Sequence, residues 1–237
     1  MSRAFLLDID GTTLLGTRAL PGAVDLVTFL RRKGIPFLWL TNNTSRSRGA
    51  WLERLAAAGL EPRPEELYTA GDATLDVLAE HDPPPRTWLV GTPDFAADFK
   101  TRGLPLAGNP DEAQVVVLAY DTTLTYARMC DTARLLLEGL PYLATHPDVT
   151  CPTPMGPIPD VGSFIELFDA ATGRRPEVIG KPEEPMIRLA LARLGVDRSD
   201  VTMVGDRLAT DIRMARNAGL RSWLVLSGVT GPGDLAP

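Results

Sequence analysis

Two acids one residue apart, Asp8 and Asp10, follow the apolar run Phe5-Leu6-Leu7 and precede Gly11-Thr12-Thr13. On a strand, side chains at i and i+2 share a face. Asp8 and Asp10 therefore leave the carboxyl end of a strand pointing into one site. Carboxylates this close repel, which raises the pKa of one and calls for a cation. One can serve as nucleophile and the other as general acid. The same residues also read as a plain turn after a strand, with Asp10 bonded to nearby backbone amides.

Three further groups have the same form. Leu38-Trp39-Leu40 runs into Thr41-Asn42-Asn43-Thr44-Ser45. Open α/β sheets bind ligands at the carboxyl ends of their strands. A hydroxyl, two side-chain amides and the N–H groups opening the next helix suit a phosphate; Thr44 or Ser45 also reads as a helix N-cap. Lys181 follows Val178-Ile179-Gly180, and Pro182 stops the strand there. It is a compact charge suited to a phosphoryl oxygen, or a solvated surface lysine. Val201-Thr202-Met203-Val204-Gly205 leads to Asp206, and Asp211 comes five residues later where a helix opens. Oxygen ligands of this kind favour Mg2+ over zinc, while Asp211 alone would also complement a helix dipole. Each group sits at the carboxyl end of an expected strand. In a parallel sheet those ends share one edge, so nucleophile, phosphate donors, cation and metal acids converge.

The elements that must position these groups show in a recurring pattern of amphipathic stretch, glycine and apolar run. The glycines are Gly34, Gly59, Gly103, Gly139, Gly195 and Gly219. A glycine just past a helix supplies the left-handed residue that closes it, and the apolar residues after it suit a buried strand. Such alternation predicts an α/β protein with a mostly parallel sheet. Strands are expected near 4–9, 36–40, 86–90, 115–120, 141–145, 177–180, 201–205 and 221–226. Helices are expected near 23–33, 46–58, 72–80, 94–102, 124–138, 163–171, 184–194 and 208–218. Asp82-Pro83-Pro84-Pro85-Arg86 is the best linker, because three prolines cannot continue a helix. With the proline-rich tract from His146 to Asp160 it marks a middle segment, residues 84–178, inserted into an outer α/β unit.

Composition narrows the classes. At 237 residues, with 44% hydrophobic and 23% charged, the chain can bury a core without staples. Cys130 and Cys151 are too few for a disulfide framework or a zinc cluster, and neither has the basic surroundings of a reactive thiol. A formal charge of −6 without a basic run argues against nucleic acid and anionic membranes. No segment approaches the ~18 apolar residues of a membrane span. Phe5-Leu6-Leu7 before Asp8 is too short for a signal peptide, so the expected compartment is the cytoplasm.

Taken in order, Asp8-x-Asp10-Gly11-Thr12, Thr41-Asn42, Lys181 and Gly205-Asp206-x-x-x-Thr210-Asp211 resemble the four signatures of the haloacid dehalogenase (HAD) superfamily of phosphatases. Thr41-Asn42-Asn43 and Gly205-Asp206-Arg207-Leu208-x-Thr210-Asp211-Ile212 are similar to its NagD-like branch, the p-nitrophenyl phosphatase-like subfamily IIA. So are Thr145-His146-Pro147-Asp148, Pro159-Asp160-x-Gly162-Ser163 and Thr172-Gly173-Arg174 in the middle segment. The resemblance spans essentially the whole chain. It implies a Rossmann-like, three-layer parallel-sheet core over 1–83 and 179–237, with an inserted C2-type α/β cap over 84–178 acting as a substrate-selecting lid. It implies a Mg2+-dependent phosphatase of a small phosphorylated metabolite. Asp8 matches the nucleophile that forms an aspartyl-phosphate, and Asp10 the general acid that protonates the leaving oxygen and then activates water. Gly11, Thr41, Asn42, Asn43 and Lys181 match phosphate-binding positions. Mg2+ would lie on Asp8, the backbone carbonyl of Asp10 and Asp206, with Asp211 behind them. Branch members usually continue with a further short element beyond the tail Gly231-Pro232-Gly233-Asp234-Leu235-Ala236-Pro237, and many place an aliphatic residue where Thr13 stands. A cap-to-cap homodimer is compatible with the branch.

In the middle segment, His146 and Asp148 are expected to contact the leaving group, although His-Pro-Asp is also a common turn composition. His81 reads as solvated and Trp39 as core. Two other functions use similar chemistry. A phosphotransferase or mutase of the same superfamily differs only in the acceptor. A receiver-type signalling module also phosphorylates an aspartate, but it has no use for the acid two residues on, nor room for the insertion.

Overall fold

A computed structural model describes residues 3–153 and 155–235; Pro154 of the proline-rich tract and Ala236-Pro237 of the tail lie outside the described residues. The apolar runs that precede the chemistry-bearing residues form strands. In chain order the elements begin with β1 (Ala4–Asp8), the hairpin β2 (Leu14–Leu15) and β3 (Arg18–Ala19), α1 (Ala23–Arg32), β4 (Phe37–Thr41), α2 (Arg48–Ala57), β5 (Leu67–Thr69) and α3 (Ala70–Ala79). They continue with β6 (Thr87–Val90), α4 (Pro93–Thr101), β7 (Val115–Leu118), α5 (Tyr126–Leu137), β8 (Tyr142–Ala144), β9 (Thr150–Cys151), β10 (Ile158–Pro159), α6 (Val161–Thr172) and β11 (Glu177–Val178). The last part holds α7 (Glu184–Leu194), β12 (Val201–Gly205), a π-helical turn over Leu208–Ile212, α8 (Arg213–Ala218) and β13 (Arg221–Leu224). The six glycines expected to close helices all have positive φ, from 63° at Gly195 to 90° at Gly139.

Two compact units divide the chain. The first comprises Met1–Thr41, Gly49–Thr69 and Lys181–Pro237. Its sheet has the order β13-β12-β1-β4-β5, parallel throughout. β1, β4 and β12 are buried along their whole length, which is why they read as unbroken apolar runs. Phe5, Leu7, Ile9, Val27, Leu30, Trp39, Trp51 and Leu55 share one core. From the β1/β12 pair, chain order runs outward both ways. That pair is the switch point at which open parallel sheets place their ligands.

The second unit comprises Asn42–Arg48 and Ala70–Gly180. It contains the whole 84–178 segment, together with 42–48, 70–83 and 179–180. Its sheet, β11-β8-β7-β6, is also parallel. Leu135 and Leu136 of α5 and Val161, Ile165 and Phe168 of α6 pack with Trp88, Val90, Val116 and Leu118 of the sheet. The proline run Asp82–Arg86 joins α3 to β6 inside this unit.

One expectation needs correction. The four chemistry-bearing groups do not all end strands of one sheet. β1, β4 and β12 do, but the strand before Lys181, β11, pairs with β8 in the other sheet. An apolar run marks a strand but carries no information about which sheet it joins. Among the described residues no helix is long and apolar enough to cross a membrane.

Candidate active site

β1 and β12 pair with Leu7 opposite Val204, so Asp8 and the Gly205-Asp206 turn leave the sheet side by side. Asp8, Asp206 and Asp211 are buried and offer carboxylate oxygens all within 4.8 Å of one another. Lys181, also buried, donates from Nζ to Asp8 Oδ1 and, at 2.7 Å, to Asp211 Oδ1. Burial pushes the Asp8 carboxyl well above its ordinary range; Lys181 opposes this, while Asp211 and Asp206 add repulsion. Burial also raises Asp211 against the pull of Lys181. For Lys181 burial works against the ammonium, but Asp211 and Asp8 outweigh it and hold the group above the ordinary lysine value. One ammonium thus bonds two of the three clustered acids. An excess of buried negative charge presented wholly by oxygen donors fits a hard divalent cation, which Asp8, Asp206 and Asp211 could hold.

Backbone geometry fixes these acids. Asp206 Oδ2 accepts from Val229 N at 2.6 Å, and its own carbonyl accepts from Thr230 N at 3.2 Å. Asp211 Oδ2 accepts from Arg207 N at 3.1 Å across the π-helical turn. A Cβ on Gly205 would stand 2.3 Å from the Asp211 Cβ, so only glycine lets Asp211 fold back over the strand end. Gly11 has φ +87°, and a Cβ there would stand 2.5 Å from Asp206 Oδ2. The structure therefore places Gly11 as a close floor beneath a metal-type acid. Thr13, which the sequence left without a task, donates to the Asp8 carbonyl at 2.6 Å.

Asp10 stands differently. Its side chain is 37% exposed, and its Oδ1 accepts from Arg54 Nη2 at 2.7 Å. Thr41 is buried at the end of β4, one residue beyond Leu40, which pairs with Asp8.

The remaining expected residues lie in the second unit. Asn42 Nδ2 donates to Asp148 Oδ2 at 2.9 Å. Asn43 Oδ1 folds onto Ser45, accepting from its N at 3.0 Å and its Oγ at 2.7 Å. His146 is corrected from leaving-group contact to internal post. It has no exposed surface, and its ring nitrogens bond Thr145 Oγ1 and Asp160 Oδ1, both at 3.0 Å. The capping alternative for Thr44 and Ser45 also gives way. Thr44 Oγ1 accepts from Tyr120 N at 3.0 Å, and the N–H groups of Ser47 and Arg48 go to Asp94 at 2.7 Å and Asp98 at 2.9 Å.

Sequence reasoning missed Arg54 and the Ser227–Thr230 loop that grips Asp206 and bonds the Gly11 carbonyl. A mid-helix arginine reads as surface by default. Only its position one turn after Trp51 hints otherwise.

Comparison with known proteins agrees with this geometry. Residues 5–105 match the family described as haloacid dehalogenase-like hydrolase, and residues 178–237 one described as HAD-hydrolase-like. An acid sugar phosphatase of Staphylococcus aureus is 33% identical over 228 residues, 96% of this chain and 88% of that protein. The crystal structure of a 4-nitrophenylphosphatase from Thermotoga maritima superposes with a TM-score of 0.94 at 36% identity, covering 99% of this chain and 89% of that one. NagD from E. coli superposes with a TM-score of 0.90 at 28% identity, covering 99% and 92%.

Proposed function

The chain belongs to the haloacid dehalogenase-like hydrolases, in the branch of NagD and the p-nitrophenyl phosphatases, and from that premise we propose that it hydrolyses a small phosphate monoester through an aspartyl-phosphate on Asp8. The observation that carries this reading is the buried cluster of Asp8, Lys181, Asp206 and Asp211 at the switch point of the sheet. A sugar phosphate is the first substrate to try, because the relatives at 33% identity are named acid sugar phosphatases. The 84–178 segment, as a lid, would choose among esters.

Asp8 attacks phosphorus while Asp10 gives its proton to the ester oxygen. The bond to the alcohol breaks as the Asp8–phosphorus bond forms. Water then attacks the phosphorus, Asp10 takes the water's proton, and Asp8 is released. Lys181, held by Asp211, neutralises a phosphoryl oxygen as charge develops. Thr41, at the end of β4, supplies a hydroxyl to the phosphate. Mg2+, held by Asp8, Asp206 and the Asp10 carbonyl with Asp211 behind, would lessen repulsion between the acids and a dianionic ester.

The test is phosphate release from p-nitrophenyl phosphate with and without Mg2+. Asp8→Asn is expected to lose about four powers of ten or more in kcat, and equal rates for wild type and variant sink the reading. Family membership removes the receiver-type alternative. Alcohol release without free phosphate would indicate transfer to another acceptor.

A further inference from the structure

We propose that Arg54 is the positioning residue for Asp10: it fixes which carboxyl oxygen exchanges protons with the ester and with water, and ties that choice to the β2–β3 hairpin. The assignment rests on the phosphatase reading above.

Arg54 lies on α2, one turn beyond Trp51. Its Nη2 donates to Asp10 Oδ1 at 2.7 Å and to the Gly16 carbonyl at 2.6 Å. Its Cζ sits 4.7 Å from the Trp51 ring centroid, and Trp51 has no exposed surface. The guanidinium is thus held on its face by a fixed core residue and at its edge by an acid and a carbonyl. Gly16 is the first of the two turn residues between Leu14–Leu15 and Arg18–Ala19, so the same group fastens the hairpin tip. One nitrogen, Nη2, serves both acceptors while the guanidinium lies over the Trp51 ring, and that stacking is what lysine reproduces less well. The pair is part-buried, with side chains 20% and 37% exposed, so a modest stabilising role is compatible with the positioning one, and the two are separated by the readouts below.

A freely rotating carboxyl offers either oxygen. With Oδ1 accepting from Arg54, the transferable proton belongs on Oδ2, which makes no bond among the described residues. Oδ2 gives its proton to the ester oxygen as the phosphorus–oxygen bond breaks. It takes a proton from water as the Asp8–phosphorus bond breaks. Arg54 touches neither reactant and acts through Asp10.

The test compares kcat/KM of wild type and Arg54→Met on p-nitrophenyl phosphate and phenyl phosphate. The two esters are similar in size, but p-nitrophenolate leaves readily as an anion and phenolate needs a proton. Phenyl phosphate is expected to fall roughly 10–100-fold, and p-nitrophenyl phosphate at least about fivefold less than that. In an Asp10→Asn background, Arg54→Met should add no further loss. Guanidinium ion should restore part of the activity of Arg54→Ala. Equal losses on the two esters, or an undiminished loss in the Asp10→Asn background, overturn the assignment. Met keeps helix propensity. If Arg54→Met melts early, Arg54→Lys is read instead, and an unbiased loss there is equally decisive. A wild type inactive on both esters sinks the phosphatase reading and this assignment together. An active wild type with unbiased Arg54 variants sinks this assignment alone.

Discussion

Lys181 bonds two buried acids, so its removal leaves both without their cation. Breaking a buried pair by deleting one partner typically costs roughly 3–5 kcal/mol. Lys181→Met should lose stability on that scale in urea unfolding without divalent cations, and Mg2+ should narrow the gap to wild type. Gly205→Ala is the complementary test of space. Its methyl would meet Asp211 at 2.3 Å, backed by a buried strand end. It should lower Tm and weaken Mg2+ binding together, read by melting and by titration calorimetry. At this scale the sequence was most informative where residue type and strand end coincided, as at Asp8, Asp206 and Lys181. It was silent on Arg54 and Thr13, whose types are ordinary and whose partners are fixed only by tertiary contact.

Among the elements, long buried strands and glycine-closed helices were legible because burial on both faces and helix termination each leave a composition mark. β5 was not. Its three residues, Leu67–Thr69, follow two glutamates and are too short to show a period. The β2–β3 hairpin, with two residues per strand, is equally faint. Asp98 of α4 shows what pairing between elements does to a side chain. Burial raises its carboxyl from the ordinary 3.8 to about 6, against the bond from Arg48 N, and Asp72 and Asp94 push the same way as burial. A folded-state pKa raised in this way means that the folded chain binds the proton more tightly than the unfolded one. The contribution is fully present below about pH 4 and is lost as pH rises through about 6. Asp98→Asn should therefore gain Tm relative to wild type between about pH 4 and pH 7. A difference in Tm that stays flat across that range would refute the assignment.

For the molecule as a whole, the alternating α/β organisation was visible in the order of motifs, although the proline run Asp82–Arg86 lies inside the second unit rather than at its edge. The assignment of 42–48 and 70–83 to the second unit was not, because packing rather than composition decides it. The acids that would hold a cation all lie in the first unit. Mg2+ should therefore raise the melting transition of that unit, by an amount that grows with concentration relative to Kd. Differential scanning calorimetry with increasing Mg2+ checks this, and Asp206→Asn should abolish the shift. The β1/β12 switch point carries a further consequence, one of timing. Thr12 and Asp206, which meet there, are 194 residues apart in the chain. As the chain leaves the ribosome, β1 (Ala4–Asp8) emerges long before β12 (Val201–Gly205), so β1 must wait for its partner while all the intervening chain is made. Ala70–Gly180, by contrast, supplies nearly all of the second unit as one continuous stretch. Closing distant contacts is slow, and domains tend to fold as they are made. The carboxylate cluster is thus completed late, and a nascent chain stalled before Val201 would carry Asp8 without Asp206 and Asp211.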